Sequence, residues 1–269
     1  MKNLRILALL AGLLAFSGLA YAGTCDLTPT PNLECTINTA IFQGIDPQST
    51  GTGVIDPFVM VHPTGNDTTE GAYNTTVNNT LNVGEPDNFN HELLLSDLRV
   101  ENIGGIDYYK FILDINESKG GGDEFLSLDD VQLFQSDIAN QSVETFSSGV
   151  VDLVGTLVYR LDSNEDNVVL LDYSYDNGSG SGDMSMYIPV SAFSGEGDYV
   201  YLYSEFGGVG AIGCGKKDVG PCTNYGASDG FEEWINAGGT PVPEPATMVL
   251  LGTGLLGIAG KVRRRMKKS

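Results

Sequence analysis

An acidic turn in the middle of the chain has residue types that could bind calcium. Asp162, Asn164 and Asp166 occupy alternate positions of DSNEDN, which is how a calcium-binding loop begins. The sixth position is Asn167 rather than glycine, and the twelfth is Tyr173 rather than glutamate, so the segment is not an EF-hand. A simpler calcium site with oxygen ligands and a solvated acidic hairpin turn are both left open.

Catalytic motifs are weak throughout the sequence. Gly178–Gly182 reads GSGSG, which lacks the G-x-S-x-G register of a nucleophile elbow. The two histidines, His62 and His91, have no obvious partners for a Ser-His-Asp arrangement. The many carboxylates could supply a glycosidase pair, but no two of them stand out. We therefore expect a protein that is not an enzyme.

A row of three tyrosines could bind a ligand. Tyr199, Tyr201 and Tyr203 alternate with apolar residues in GDYVYLYSEFG, so as a strand they share one face. An open row would suit stacking against sugar rings, and a covered row would be part of a sandwich core or a cross-strand aromatic ladder. Both interpretations stay open at this point.

The charge of the chain is distributed very unevenly. The net charge is −21, but the 223 residues from Gly23 to Pro245 hold all 35 acidic residues and six basic ones, for a local net charge of −29. Such a body repels nucleic acid and anionic membrane surfaces, so we expect neither as its partner. Divalent cations are natural counter-ions for such a body, and the simpler interpretation is that its acidity only keeps a secreted protein soluble.

The first 22 residues have the pattern of a secretory signal peptide. A basic start is followed by an apolar run and by the small-x-small sequence Ala20-Tyr21-Ala22, after which cleavage would expose Gly23. The sequence therefore predicts export.

Export makes disulfides the expected state of the four cysteines, which are Cys25, Cys35, Cys214 and Cys222. Four cysteines allow three connectivities, of which we favour the local pairs Cys25–Cys35 and Cys214–Cys222. No C-x-x-C motif is present, which argues against zinc.

The C-terminal segment combines a turn, an apolar run and a basic cluster. Residues 246–260 carry no charge and would span about 22 Å as a helix, a marginal length for a single transmembrane span. The basic residues that follow predict a cytoplasmic membrane stop; they include Lys261, Arg263, Arg264 and Arg265.

Pro243-Glu244-Pro245, followed by this apolar segment and a C-terminal arginine cluster, resembles the PEP-CTERM sorting signal of exported proteins in Gram-negative bacteria that also make exopolysaccharide. The resemblance covers about residues 240–269. It implies recognition of the tripeptide by a membrane-integral exosortase, cutting near it, and release or transfer of the body to the cell exterior.

The segment between the two signals reads as an all-β body, because short β-branched and aromatic runs alternate with Gly, Asn and Asp turns. We expect an antiparallel sandwich or jelly roll over residues 23–239, preceded by the signal peptide (1–22) and followed by the sorting signal with its transmembrane helix (240–269). Predicted strands are Gly53–His62, Leu93–Glu101, Tyr108–Ile115, Val131–Phe134, Val150–Leu161, Val168–Tyr175, Met184–Val190 and Tyr199–Phe206. A helical turn is expected in SDGFEEW, from Ser228 to Trp234.

These features together predict a non-enzymatic exported protein that passes through an inner-membrane intermediate to the cell surface or the extracellular matrix. Association with exopolysaccharide or biofilm is the expected setting. A carbohydrate-binding module that uses the tyrosine row and a permanently anchored single-pass membrane protein are the alternatives.

Overall fold

A computed structural model describes residues 23–45, 57–62, 67–77, 80–81, 89–175, 182–214, 222–228 and 230–236. The predicted signal peptide, residues 178–181 of the GSGSG turn and the whole sorting segment, with Pro243–Pro245 and the predicted transmembrane helix and basic stop, lie outside these residues. Among the residues described, no helix is long and apolar enough to cross a membrane.

The described residues form strands joined by turns and two short 3₁₀ helices, at Leu95–Asp97 and Val190–Ala192. In chain order the strands are β1 (Thr24–Asp26), β2 (Glu34–Ile37), β3 (Ala40–Gly44), β4 (Pro57–Val61), β5 (Glu70–Tyr73), β6 (Leu93–Leu94), β7 (Val100–Ile103), β8 (Ile106–Asp114), β9 (Phe125–Ser136), β10 (Phe146–Ser147), β11 (Val150–Val151), β12 (Thr156–Arg160), β13 (Val168–Asp172), β14 (Met184–Pro189), β15 (Tyr199–Phe206), β16 (Ala211–Ile212), β17 (Thr223–Asn224) and β18 (Glu232–Asn236).

Most of these strands belong to two large sheets. The first has the order β1-β13-β9-β15-β5, with β12 also on β9 and β6 also on β15. The second has the order β2-β3-β14-β8-β18-β4, with β7 also on β8. Pairing is antiparallel except between β1 and β13. This bears out the prediction of an all-β body with antiparallel sheets.

The main core lies between the two sheets, because each sheet directs one set of alternate side chains inward. Leu128, Val131 and Leu133 of β9 belong to the same buried cluster as Phe111 and Leu113 of β8. The cluster is contiguous, so the two sheets pack face to face as a sandwich.

The predicted strands are present in the structure, but several of them begin or end at other residues than predicted. Tyr199–Phe206 is β15 without change, whereas Val131–Phe134 is the middle of the longer β9. Val150–Leu161 is divided between β11 and β12, and a 3₁₀ turn interrupts Leu93–Glu101. Strands β2, β3 and β5 were not predicted.

The helical turn predicted in SDGFEEW is wrong, because Glu232–Asn236 forms β18, which lies between β8 and the edge strand β4 of the second sheet. Glu232 and Trp234 are buried, and the residues that follow each of them are only partly buried. The segment therefore has the two-residue period of a strand rather than the i, i+3 spacing of a helix. The Trp234 indole N–H donates to Ser204 Oγ at 3.0 Å and so links this sheet to β15 of the first.

Both disulfides have the predicted local connectivity. Cys25 of β1 is bonded to Cys35 of β2, which joins the edge strands of the two sheets. Cys214 is bonded to Cys222 beside the small β16–β17 sheet.

We expect replacement of Cys25 and Cys35 together by serine to lower the free energy of unfolding by about 3 kcal/mol, since loop-closure entropy is lost and a hydroxyl enters the core at position 25. Cys25 is buried in the main core. Denaturant unfolding followed by the fluorescence of Trp234, the single tryptophan, measures the change.

The matched control replaces Cys214 and Cys222, which are exposed. This change loses a similar loop-closure contribution without burying a hydroxyl, so it should cost less. A larger loss in the control than in the core variant would contradict the prediction.

Candidate functional site

The three tyrosines of β15 lie on the outer face of the first sheet, away from the main core. Tyr201 and Tyr203 are buried there in a second cluster with Tyr73, Phe134 and Leu153, and Tyr199 packs at its margin. An open sugar-stacking platform at Tyr199, Tyr201 and Tyr203 is therefore incorrect for this structure, because neighbouring chain covers the rings. The row forms the second core instead.

Residues 138–155, here called the strap, cover this outer face. Tyrosine hydroxyls hold it in place: the Tyr201 hydroxyl donates to Ile138 O at 2.8 Å, and Tyr73 Oη accepts from Val143 N at 2.6 Å. The side chain of Gln141 also bonds both backbone groups of Val154, at 2.7 and 3.0 Å. Burial of these hydroxyls raises the pKa of Tyr73 to about 12, so they stay protonated donors at neutral pH.

Beside the strap, an open cleft of about 500 Å³ is lined by carboxylates. It is here called the acidic cleft, and its charged residues are Asp129 and Asp130 of β9, Arg160 of β12, Asp162 and Asp166 of the following turn, and Glu205 of β15. The pairing of β9 with β15, which sets Asp130 opposite Glu205, brings together groups that are far apart in the sequence.

Asp130 is the most buried carboxylate of the acidic cleft, with 7% of its surface exposed. Its Oδ2 accepts from Gln132 Nε2 at 2.6 Å and lies 3.9 Å from Arg160 Nε. Desolvation raises the pKa of Asp130 to about 6; Gln132 and Arg160 oppose this rise, and the charges of Asp162 and Glu205 add to it. Asp130 therefore exchanges its proton in a mildly acidic range.

Asp129 and Glu205 are each held by a local hydrogen bond. Asp129 Oδ2 accepts from Gly208 N at 2.6 Å, in a turn that needs glycine at 207, where φ is 82° and a Cβ would lie 2.0 Å from Thr68 O. The Tyr203 hydroxyl donates to Glu205 Oε2 at 3.1 Å. The cleft is thus a preformed anionic surface.

The acidic turn contributes two carboxylates to this cleft, and the calcium site at Asp162, Asn164 and Asp166 stays a prediction. Asp162 Oδ1 accepts from Asn167 N at 2.8 Å, and Asn164 Nδ2 turns away towards Asn38 Oδ1 at 3.4 Å. In the part of the chain that is described, no three His, Cys, Asp or Glu side chains form a group that could hold a metal ion.

Sequence patterns missed Asp129, Asp130, Arg160 and Glu205 as members of one cleft. The acidic pair in LDDVQ could have marked Asp129 and Asp130, but the link to Glu205 depends on the β9–β15 register.

Beyond the described body, the C-terminal segment was compared with known protein families. Residues 241–265 match the PEP-CTERM protein-sorting motif. The PEP-CTERM match contains Pro243, Glu244 and Pro245 and the basic residues from Lys261 to Arg265, as the resemblance implied. It indicates an exported protein that an exosortase sorts at the membrane. No curated protein and no solved structure matches the chain.

We expect Asp130→Asn to remove a pH-dependent cost of folding. The folded pKa of Asp130 lies above its unfolded value, so its contribution to stability is complete below about pH 4 and is lost as the pH rises through 6. The stability of the variant relative to the unmodified protein should therefore increase by about 2 kcal/mol between pH 4 and pH 7.

Denaturant unfolding at a series of pH values measures this difference. Asp166→Asn, at an exposed position of the same cleft, should stay within about 0.5 kcal/mol of the unmodified protein at neutral pH. A difference between Asp130→Asn and the unmodified protein that does not change with pH would contradict the assignment.

Proposed function

We propose that this chain is a non-enzymatic protein of the cell surface or extracellular polysaccharide matrix, delivered there through exosortase processing. The PEP-CTERM match at residues 241–265 is the observation that carries the proposal. The two disulfides agree with an oxidising destination, and the negative body agrees with a hydrated matrix rather than a nucleic acid or an anionic membrane.

The acidic cleft supports a binding role better than a catalytic one. Asp130 and Glu205 lie on adjacent strands, as an acid–base pair would. However, Asp130 is almost fully buried, and its Oδ2 is engaged by Gln132, whose Nε2 also donates to Gly149 O of the strap at 2.7 Å. A carboxyl held in this way is poorly placed to meet a glycosidic bond.

Replacing Pro243, Glu244 and Pro245 together by alanine should stop processing, since the prolines keep the backbone extended at the membrane edge and the tripeptide is the expected recognition element. The chain should then accumulate in the inner membrane with its C-terminal tail. Immunoblots of cell fractions with antibodies against the body and against the tail measure this.

Thr240→Ala, just outside the matched segment, is the control and should be processed normally. Processing of the triple variant at the normal rate would contradict the role of the tripeptide. An unmodified protein that keeps its tail and stays in the inner membrane would favour the permanently anchored alternative.

A carbohydrate-binding role is a second candidate, favoured by a groove at the other side of the strap. Leu81, Phe146, Tyr203 and Glu205 help to line this groove of about 400 Å³. Phe146 is 43% exposed, and its ring centroid lies 5.4 Å from that of Tyr203. An exposed aromatic ring beside a carboxylate is a surface on which a sugar could stack and donate hydrogen bonds.

For this second candidate, Phe146→Ala should weaken retention on the exopolysaccharide of the producing cell about tenfold, since stacking is worth about 1–1.5 kcal/mol. Affinity electrophoresis measures retention. Ile106→Ala, which removes an equally exposed apolar side chain from β8, is the control. Equal retention of both variants and the unmodified protein would exclude glycan binding at this groove.

A further inference from the structure

Two glutamates meet in the interior of the sandwich, at a place outside the sorting signal and the acidic cleft, although one of them, Glu70, also borders the groove beside Phe146. Glu70 begins β5 of the first sheet and Glu232 begins β18 of the second. They are 2% and 0% exposed, so both side chains lie within the body. Together they are called the glutamate pair below.

No side chain of the described residues donates a hydrogen bond to the four carboxylate oxygens of the glutamate pair, and the backbone N–H of Asn116 lies close enough to Glu232 to lower its pKa. The two carboxyl groups are nevertheless within hydrogen-bonding reach of each other. A carboxylate only accepts hydrogen bonds, so this contact is repulsive unless something positive lies between the two groups. Buried like charges without a partner would cost several kcal/mol for each ion.

A third carboxylate adds to the negative charge at this end of the sandwich. Glu117 is buried just beyond β8, and its Oε2 accepts from Ser228 N at 3.0 Å and from Ser228 Oγ at 2.5 Å. Desolvation and the contacts with Glu70 and Glu117 raise the pKa of Glu232. Desolvation likewise raises the pKa of Glu70, against the lowering effects of Glu232 and of the His62 charge.

We propose that the glutamate pair binds a divalent cation of the calcium class, which joins the two sheets at this end of the sandwich. Hard carboxylate oxygens are the ligands that calcium prefers, and a site that takes one ligand from each sheet would strengthen their packing. No third His, Cys, Asp or Glu of the described residues completes a ligand group, so backbone carbonyls and water supply the remaining positions.

A shared proton is the competing way to neutralise the pair. One proton cancels a single charge and leaves two of the three neighbouring carboxylates negative, with the His62 charge near Glu70 to offset one of them, whereas a divalent cation cancels both charges of the glutamate pair. The body has a net charge of −29 and is exported, so its surroundings can supply calcium where the cytoplasm would not. These two considerations favour the cation.

Metal analysis of the exported protein tests the proposal directly. After incubation with calcium and gel filtration into metal-free buffer, the unmodified protein should retain about one calcium per chain at this site. Its melting temperature in calcium at one hundred times Kd should rise by roughly 5–10 °C over that in sodium chloride of matched ionic strength.

Glu232→Gln and Glu70→Gln, which keep the shape and remove one charge each, should each lose most of the retained calcium and of the thermal shift. Asp162→Asn, a carboxylate change in the acidic cleft, is the matched control and should keep both. This control separates the glutamate pair from weak cation binding at the cleft.

Three results would overturn the proposal. The first is an unmodified protein that retains no calcium and is not stabilised by it. The second is a calcium response that Glu232→Gln leaves intact but Asp162→Asn removes. The third is a protein indifferent to calcium whose stabilisation by mild acid persists in Asp130→Asn and is lost in Glu232→Gln, which would assign the pair to a shared proton. The metal analysis of the unmodified protein decides the matter even if a glutamate variant fails to fold.

Discussion

Burial of both faces of strand β9 is the constraint on which the described body depends. Leu128 and Leu133 face the second sheet in the main core, and Phe134 lies in the second core under the strap. A strand covered on both sides needs a second layer over its outer face, and the strap supplies it. Because the strap is fixed there, it also forms one wall of the acidic cleft and of the groove beside Phe146.

Polar groups near this doubly covered sheet are neutralised in two different ways. Asn74, just after β5, donates to Val200 O at 2.9 Å and accepts from Leu202 N at 2.6 Å. Its buried, uncharged amide thus satisfies two backbone groups of β15 that a neighbouring strand would otherwise pair. The carboxylates Asp130, Glu70 and Glu232 cannot be satisfied in this way, because each also needs a counter-charge. These buried acids therefore carry a cost of burial that the uncharged amide of Asn74 does not.

Local patterns predicted the strands whose two faces differ, such as β8 and β15, because period-two alternation is visible in one segment. The hairpin of β2 and β3 escaped notice because its turn is Asn38-Thr39, with φ values of 47° and 76°, and a β-branched residue seldom adopts that conformation. The i, i+3 spacing of Phe231 and Trp234 suggested a helical turn. The segment is instead a strand, because β18 pairs with β4 and β8 and buries Glu232 and Trp234 on one face.

The candidate sites depend on contacts between distant segments, which explains why they were predicted only in part. Asp162 and Asp166 were expected to act with their neighbour Asn164, and the structure places them in one cleft with Asp130 and Glu205, which are distant in the sequence. Nothing near Glu70 in the sequence indicates that Glu232 will meet it from the opposite sheet. The sorting motif, in contrast, is a contiguous signal that sequence alone can identify, and the family comparison confirms it.

Export explains both the disulfides of the fold and the sorting motif. The disulfides need an oxidising compartment, and the sorting motif acts at the membrane that the body has crossed. The intact mass of the protein recovered from outside the cytoplasmic membrane tests this connection most directly. Export and processing predict a chain that begins at Gly23, ends near Pro243–Pro245 and lacks the hydrogens of all four thiols. A mass equal to that of all 269 residues with reduced cysteines would contradict it.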